Sequence, residues 1–184
     1  MCATGFDVSY RPPYPIVGRN GVELGELWSK EPISYMSLAC PHMPNYFLFT
    51  GPNATIGHGS LMESLGWTAA YVIKWMKKIL EEDIKAIVPK EQAVADFIAY
   101  EDQIHKTLVW SGGCRSWYKN STIDGRVIAL FGGSALLYRR LISNLRPEDF
   151  EIEFRSANRY RFLGNGFTEY ELEKANDLAW YVEK

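Results

Sequence analysis

Gly51-Pro52-Asn53 forms a breaker-rich turn, and Ser60-Leu61 follows it at the head of a long apolar-periodic run. A turn that feeds a helix N-terminus presents unpaired amides and the positive end of the helix dipole, a combination that favours negative charge. The plainer alternative is an ordinary strand–turn–helix connection, in which Gly51 serves geometry and Ser60 only caps. A second group, Trp110, Cys114, Arg115, Trp117 and Tyr118, mixes aromatic faces with one cation. Such a group can line a pocket for a flat organic molecule with Arg115 as hydrogen-bond donor, or it can simply be core packing. Cys114 has no histidine near it in sequence and reads as an inert thiol. His42, His58 and His105 lack metal-ligand spacing, so no metal site is expected.

The elements that would position these residues follow from periodicity and breakers. Residues 10–32, from Pro12-Pro13 to Pro32, read as turns around short extended pieces. Tyr46–Thr50 reads as a short buried strand between Pro44 and Gly51-Pro52. A long helix is predicted from Ser60 to Glu82, with Leu61, Leu65, Ala69, Val72, Ile73, Met76 and Leu80 as its apolar face. A second helix is predicted from Pro89 through Lys106, with Ala93, Phe97, Tyr100 and Ile104 inward. Leu108–Trp110, Trp117–Lys119, Arg126–Phe131 and Phe150–Phe154 read as strands, and Asp124-Gly125 as a turn. Ser134–Asn144 reads as a short helix. Thr168–Glu183 reads as a closing helix with a Thr168/Glu171 capping box and an apolar face that docks on the sheet.

Several motifs in order carry a family resemblance. Ala3-Thr4-Gly5-Phe6-Asp7 resembles the ATG(F/Y)D signature of class B flavoprotein monooxygenases, above all their Baeyer–Villiger branch. Pro44-Asn45-Tyr46-Phe47-Leu48-Phe49-Thr50-Gly51-Pro52-Asn53 is similar to that family's strand and flavin-facing turn, and Gly59-Ser60-Leu61-Met62-Glu63 to the helix after it. Trp110 with Cys114–Lys119, Gly132-Gly133-Ser134, Tyr138, Asn158–Phe167 and Asp177–Tyr181 resemble the C-terminal region of fungal members. The chain therefore resembles the C-terminal portion of such an enzyme over nearly its whole length. The fold implied is α+β or α/β, a remnant of a flavoprotein with two dinucleotide-binding domains: short strands, two long central helices and a C-terminal helix. A single domain over 1–184 is implied, with residual FAD-domain strands and turn in 1–60 and a helical, substrate-side region in 61–184.

The resemblance implies FAD and NADPH as cofactors and a small organic substrate, oxygenated in secondary metabolism. It implies flavin contacts at Thr4, Gly5, Gly51, Pro52, Asn53, Ser60 and Leu61, and a substrate side at His58, Arg115, Trp117 and Tyr118. Departures matter equally. No GxGxxG occurs: Gly57-His58-Gly59 has two of the glycines, but Met62 stands at the third position. The FxGxxxHxxxW/D fingerprint fails where Thr55 replaces the histidine. The family's active-site arginine falls ahead of the ATG motif and matches no arginine here. The expectation is thus a monooxygenase portion that is not redox-competent alone. The alternatives are a non-redox cyclase or isomerase using the remaining pocket, and an inactive module that completes a flavoprotein made elsewhere. A missing N-terminal lobe would expose a sheet edge at Cys2–Val8 and favour self-association.

Composition narrows the classes. In 184 residues, 20 basic and 22 acidic side chains give a formal net charge of −2, which supplies no basic footprint for nucleic acid. The longest apolar run, Val127–Tyr138, is too short to span a bilayer, and the first fifteen residues lack the pattern of a secretory signal. Three cysteines without a CxxC form neither a disulfide framework nor a zinc site. A soluble cytoplasmic protein is expected.

Overall fold

The computed structural model describes residues 7–54, 56–179 and 182. Thr4 and Gly5, most of the Cys2–Val8 edge, Thr55 and the closing Trp180-Tyr181 lie outside the described residues. The architecture is α+β. In chain order it contains α1 (Leu24–Leu27), α2 (Leu61–Glu81), β1 (Ile84–Pro89), α3 (Glu91–His105), α4 (Ala135–Leu141), β2 (Phe150–Phe154) and α5 (Glu169–Leu172).

Both long central helices form where their caps place them. Ser60 is extended and its hydroxyl accepts the Glu63 amide, which starts α2; Lys90 precedes α3 and ties its own amide to the Asp149 carbonyl at 2.9 Å. Asp83, left-handed at φ 51°, turns the chain from α2 into β1. That strand pairs antiparallel with β2, with Ile87 opposite Ile152 and Pro89 opposite Phe150. The other edge of β1 is closed by Asn45. Its side chain donates to the Lys85 carbonyl at 3.1 Å and accepts the Ile87 amide at 3.0 Å, while its own amide donates to the Ile87 carbonyl at 3.0 Å. One residue thus supplies the bonds of an absent strand.

The face that α2 buries differs from the predicted one. Ser64, Thr68, Tyr71 and Trp75 point inward, whereas Ile73, Met76 and Leu80 are 51, 54 and 79% exposed. Size explains the choice. Trp75 packs on Phe150 at 4.7 Å between ring centroids, Phe150 meets Tyr35 edge-on at 5.1 Å, and two buried aromatics remove more apolar surface from water than the aliphatic stripe would. Burial pushes the Tyr71 and Tyr138 phenols up to about 12. On α3, Val94, Phe97, Glu101 and His105 are buried, and Tyr100 is exposed rather than inward.

Other expectations fail for lack of partners. Tyr46–Thr50 makes one isolated bridge, Ala39 to Phe47, and Phe49 is exposed, so no strand forms there. Val109–Ser111 and Trp117–Lys119 are single 3-10 turns, not strands. The segment 126–131 is largely buried but joins neither strand of the sheet. Conversely, β1 itself was hidden in the sequence between two helix patterns. The capping box at Thr168 and Glu171 is present, yet α5 ends at Leu172. Its apolar residues do not dock: Leu172, Leu178 and Val182 are all more than half exposed.

Candidate functional site

The 51–54 turn is held from every side. A Cβ on Gly51 would lie 2.6 Å from the Ser37 carbonyl oxygen and 2.7 Å from Leu48 Cδ1, so only glycine fits. The Pro52 carbonyl accepts the Ser34 hydroxyl at 3.0 Å. Asn53, left-handed at φ 62° and 3% exposed, donates from its side-chain amide to the Val127 and Leu130 carbonyls at 3.0 and 2.8 Å. Its backbone amide donates to the Ile128 carbonyl at 2.7 Å. Asn53 Oδ1 accepts Arg126 Nη2 at 3.1 Å, and Arg126 Nε donates to Asp102 Oδ1 at 2.5 Å, which carries the connection into α3.

Beyond Ile56 the chain turns outward. Gly57, His58, Gly59, Ser60, Leu61 and Met62 line an exposed approach to the α2 N-terminus. The Ser60 hydroxyl takes the Glu63 amide, but among the described residues the amides of Leu61 and Met62 reach no acceptor. This end of α2 can therefore still donate two hydrogen bonds to an anionic or carbonyl edge, and the dipole favours that partner.

The aromatic loop packs beside this approach. A Cβ on Gly57 would lie 3.3 Å from Trp110 Cζ2, so the missing side chain lets the Trp110 ring close on the turn. Trp110 meets Tyr118 edge-on at 5.4 Å, and Trp117 lies 4.3 Å from the same ring. Trp117 remains 48% exposed and offers an open aromatic face. Arg115 is exposed and spends Nε on the Ser121 carbonyl at 2.7 Å, which fixes the loop but leaves the rest of the guanidinium outward. Lys119, 1% exposed, donates to the Gly112 carbonyl at 2.6 Å and also to the Ile123 carbonyl, closing the loop from within. The Tyr118 carbonyl accepts the Ile128 amide at 2.8 Å.

The structure thus brings Gly57 against Trp110 and, through its ring, Tyr118 and Trp117, while His58, Ser60 and Leu61 follow Gly57 on the exposed approach and Asn53 is buried against 127–130. Cys114 is exposed and unpaired with any other cysteine. Among the described residues, no three His, Cys, Asp or Glu side chains gather as a metal would require. Sequence reasoning missed the Asn53–Arg126–Asp102 chain, since those residues are far apart in the chain. It also missed the buried pair Glu101 and His105, although their four-residue spacing on one helix face was a usable signal. Glu101 Oε2 accepts the Gly132 amide at 2.8 Å, which anchors the start of the Gly132-Gly133 turn to α3.

Comparison with known proteins adds the following. No family model matches the chain. It is 40% identical, over 98% of its length, to the FAD-binding monooxygenase tazF of Aspergillus terreus, and it covers 33% of that protein. It is 45% identical, over 91% of its length, to the FAD-binding monooxygenase stcW of Emericella nidulans, covering 28% of it. The chain spans about a third of the length of these curated relatives. In fold, 76% of the chain superposes on 27% of a cyclohexanone monooxygenase from Rhodococcus sp. Phi1 bound to NADP+, with a TM-score of 0.68 and 21% identity. A steroid monooxygenase bound to NADP gives a TM-score of 0.67 at 24% identity, with 76% of this chain and 26% of that one covered. No helix among the described residues is long and apolar enough to cross a membrane.

Proposed function

We propose, from the premise that this chain belongs to the FAD-binding monooxygenases as a portion of one, that it supplies the flavin-edge turn and the substrate-side aromatic wall of a Baeyer–Villiger-type enzyme. The observation that carries the assignment of parts is the exposed α2 N-terminus, where the Leu61 and Met62 amides reach no acceptor among the described residues, a few residues beyond the turn that Asn53 anchors. Those donors suit the pyrimidine edge of an isoalloxazine, where negative charge gathers on reduction. FAD, when bound, carries reducing equivalents from NADPH to dioxygen. Gly51 and Pro52 shape the turn, Asn53 fixes it to 127–130, and Ser60 sets the start of the helix. His58, Arg115, Trp117 and Tyr118 would face a small organic metabolite of secondary metabolism, with the aromatic faces stacking on it and Arg115 donating to an oxygen.

The residues fit one half of the cofactor only. The pyrophosphate of FAD calls for a glycine-rich turn at a helix N-terminus, and no GxGxxG stands in the sequence. One edge contact does not offset the cost of association. The chain alone therefore binds FAD weakly or not at all, oxidises no NADPH, and acts in the cytoplasm together with a dinucleotide-binding portion. The aliphatic stripe of α2 left open at Ile73, Met76 and Leu80 supports that second requirement, and with it the reading as a partner module.

Two measurements test this. Titrating FAD into the isolated chain while following flavin fluorescence is expected to give no saturation in the micromolar range. Saturable quenching lost in Ser60→Ala would show that this portion holds flavin unaided. Replacing the matching segment of stcW by this chain is expected to preserve flavin content, and a colourless chimera that is folded would overturn the assignment.

A further inference from the structure

We propose that the outer face of α2 pairs with the same face of a second copy of this chain, the two helices running antiparallel about a two-fold axis. The inner face of α2, made of Ser64, Thr68, Tyr71 and Trp75, is buried in the core. The outer face is made of Met62, Gly66, Ala69, Ile73, Met76 and Leu80, which follow one another in alternating steps of four and three residues. That alternation is the spacing of a coiled-coil seam. At about 100° per residue the outer positions share an arc of about 80°, about half a turn from the inner face, and run about 27 Å along the helix. Met62, Gly66, Ile73, Met76 and Leu80 are exposed, and Ala69 is half-buried. A continuous apolar strip in water marks a surface that another element covers.

Size and charge along the strip select a second copy and set its direction. With the axis at the level of residue 71, Met62 meets the second copy's Leu80, Gly66 meets its Met76, and Ala69 meets its Ile73. Each small residue then faces a large one. The space over Gly66 is open to receive a side chain, since a Cβ there would have no atom within 4 Å. The exposed Glu63 and Lys77 flank the seam on one side. The antiparallel arrangement sets Glu63 against the second copy's Lys77, and by symmetry Lys77 against its Glu63. A parallel pair loses both features: Gly66 would face glycine, and Glu63 would stand about 21 Å along the axis from Lys77.

So short a seam buries about 1,000 Å² in total, near the lower bound for a specific interface, and calls for a weak, reversible dimer. A dinucleotide-binding portion that covers the same strip excludes the second copy, so the two are alternative occupants. The pairing does not rest on the flavin reading: either can fail while the other stands.

Sedimentation equilibrium of the full chain tests the pairing, with circular dichroism to check that each variant folds. The expected result is a monomer–dimer equilibrium with a Kd of about 10 to 100 μM. Ile73→Glu sets a charge in the middle of the seam at a position exposed in the single chain, and is expected to raise the Kd at least about thirtyfold. Glu63→Lys and Lys77→Glu each place like charges opposite one another and are expected to weaken self-association about tenfold. An equimolar mixture of these two variants is expected to restore it, because one chain then carries lysine and the other glutamate at both positions. A chain that stays monomeric at about 500 μM would overturn the proposal and leave the strip to a dinucleotide-binding portion. So would an Ile73→Glu dimer as tight as the original, which puts the contact elsewhere, or a mixture no tighter than its components, which breaks the antiparallel register. Should Ile73→Glu fail to fold, the mixture still decides it.

Discussion

The stretch from Gly51 to Met62 is one motif in sequence and two different things in space. In the first half, Pro52 and Asn53 turn their polar groups toward the protein: a carbonyl to Ser34, an amide and a carboxamide to 127–130, an oxygen to Arg126. In the second half, His58 to Met62 are exposed, and two amides reach no acceptor among the described residues. Residues that look equally suited to hold a cofactor thus divide into a support and a contact surface. Polar residues in a turn announce hydrogen bonding, but only burial reveals whether the partner is protein or ligand.

Stability should separate the halves, and Asn53 gives the sharpest separation. Asn53→Ala removes three side-chain hydrogen bonds, strands the Val127 carbonyl and a guanidinium nitrogen, and leaves the Leu130 carbonyl with His105 alone. Urea unfolding is expected to show a loss of about 4 kcal/mol. A loss below about 1 kcal/mol would mean that the turn is not the support described.

Alkali probes the floor beneath the same half. Tyr138 donates to the Met36 carbonyl at 3.3 Å, next to the Ser37 carbonyl on which Gly51 rests. Burial raises its phenol from 10.0 to about 12. A raised phenol binds its proton more tightly in the fold, so its contribution is complete below pH 10 and is lost as pH rises towards 12. The loss is about 3 kcal/mol at most. Tyr71, raised likewise to about 12, acts in the same window. Fluorescence-monitored unfolding against pH checks this, and Tyr138→Phe is expected to flatten the profile between those limits.

Paired glycine substitutions come next. Gly51→Ala forces a Cβ into the Ser37 carbonyl and Leu48, and is expected to cost about 2 kcal/mol. Gly57→Ala meets only the edge of the Trp110 ring at 3.3 Å, which can shift, so a cost below about 1 kcal/mol is expected. Equal costs in thermal unfolding would erase the distinction between support and surface.

The contact half should tolerate the most. Ser60→Ala loses the α2 cap and is expected to cost about 1 kcal/mol. Leu61→Ser, at a position already 51% exposed, is expected to change stability by no more than about 0.5 kcal/mol. If Leu61→Ser matched Asn53→Ala, the outward half would have to be packed against something.

Local signals carried far along this chain. Ser60 ahead of an apolar-periodic run and Thr168 with Glu171 marked two helix starts correctly because capping needs only a few residues of context. The alternation of Phe150–Phe154 identified β2 for a similar reason. The Trp117–Lys119 and Arg126–Phe131 readings failed because a strand needs a continuous ladder, and here the contact between them converges on the single Tyr118 carbonyl. The aliphatic stripe of α2 misled because periodicity reports that a helix has an apolar face without comparing that face with an aromatic one.

By itself the sequence carried the resemblance to flavin monooxygenases, the two long helices with the Ser60 start of α2, and the turn ahead of α2, all of which rest on residues close together in the chain. Only the tertiary structure decided which face of α2 is buried, that Asn45 closes one edge of β1, and that Asn53 joins Arg126 and Asp102 instead of facing outward. These outcomes depend on groups 24 to 77 residues apart competing for the same hydrogen bonds and the same buried volume, and that competition exists only once the chain has folded.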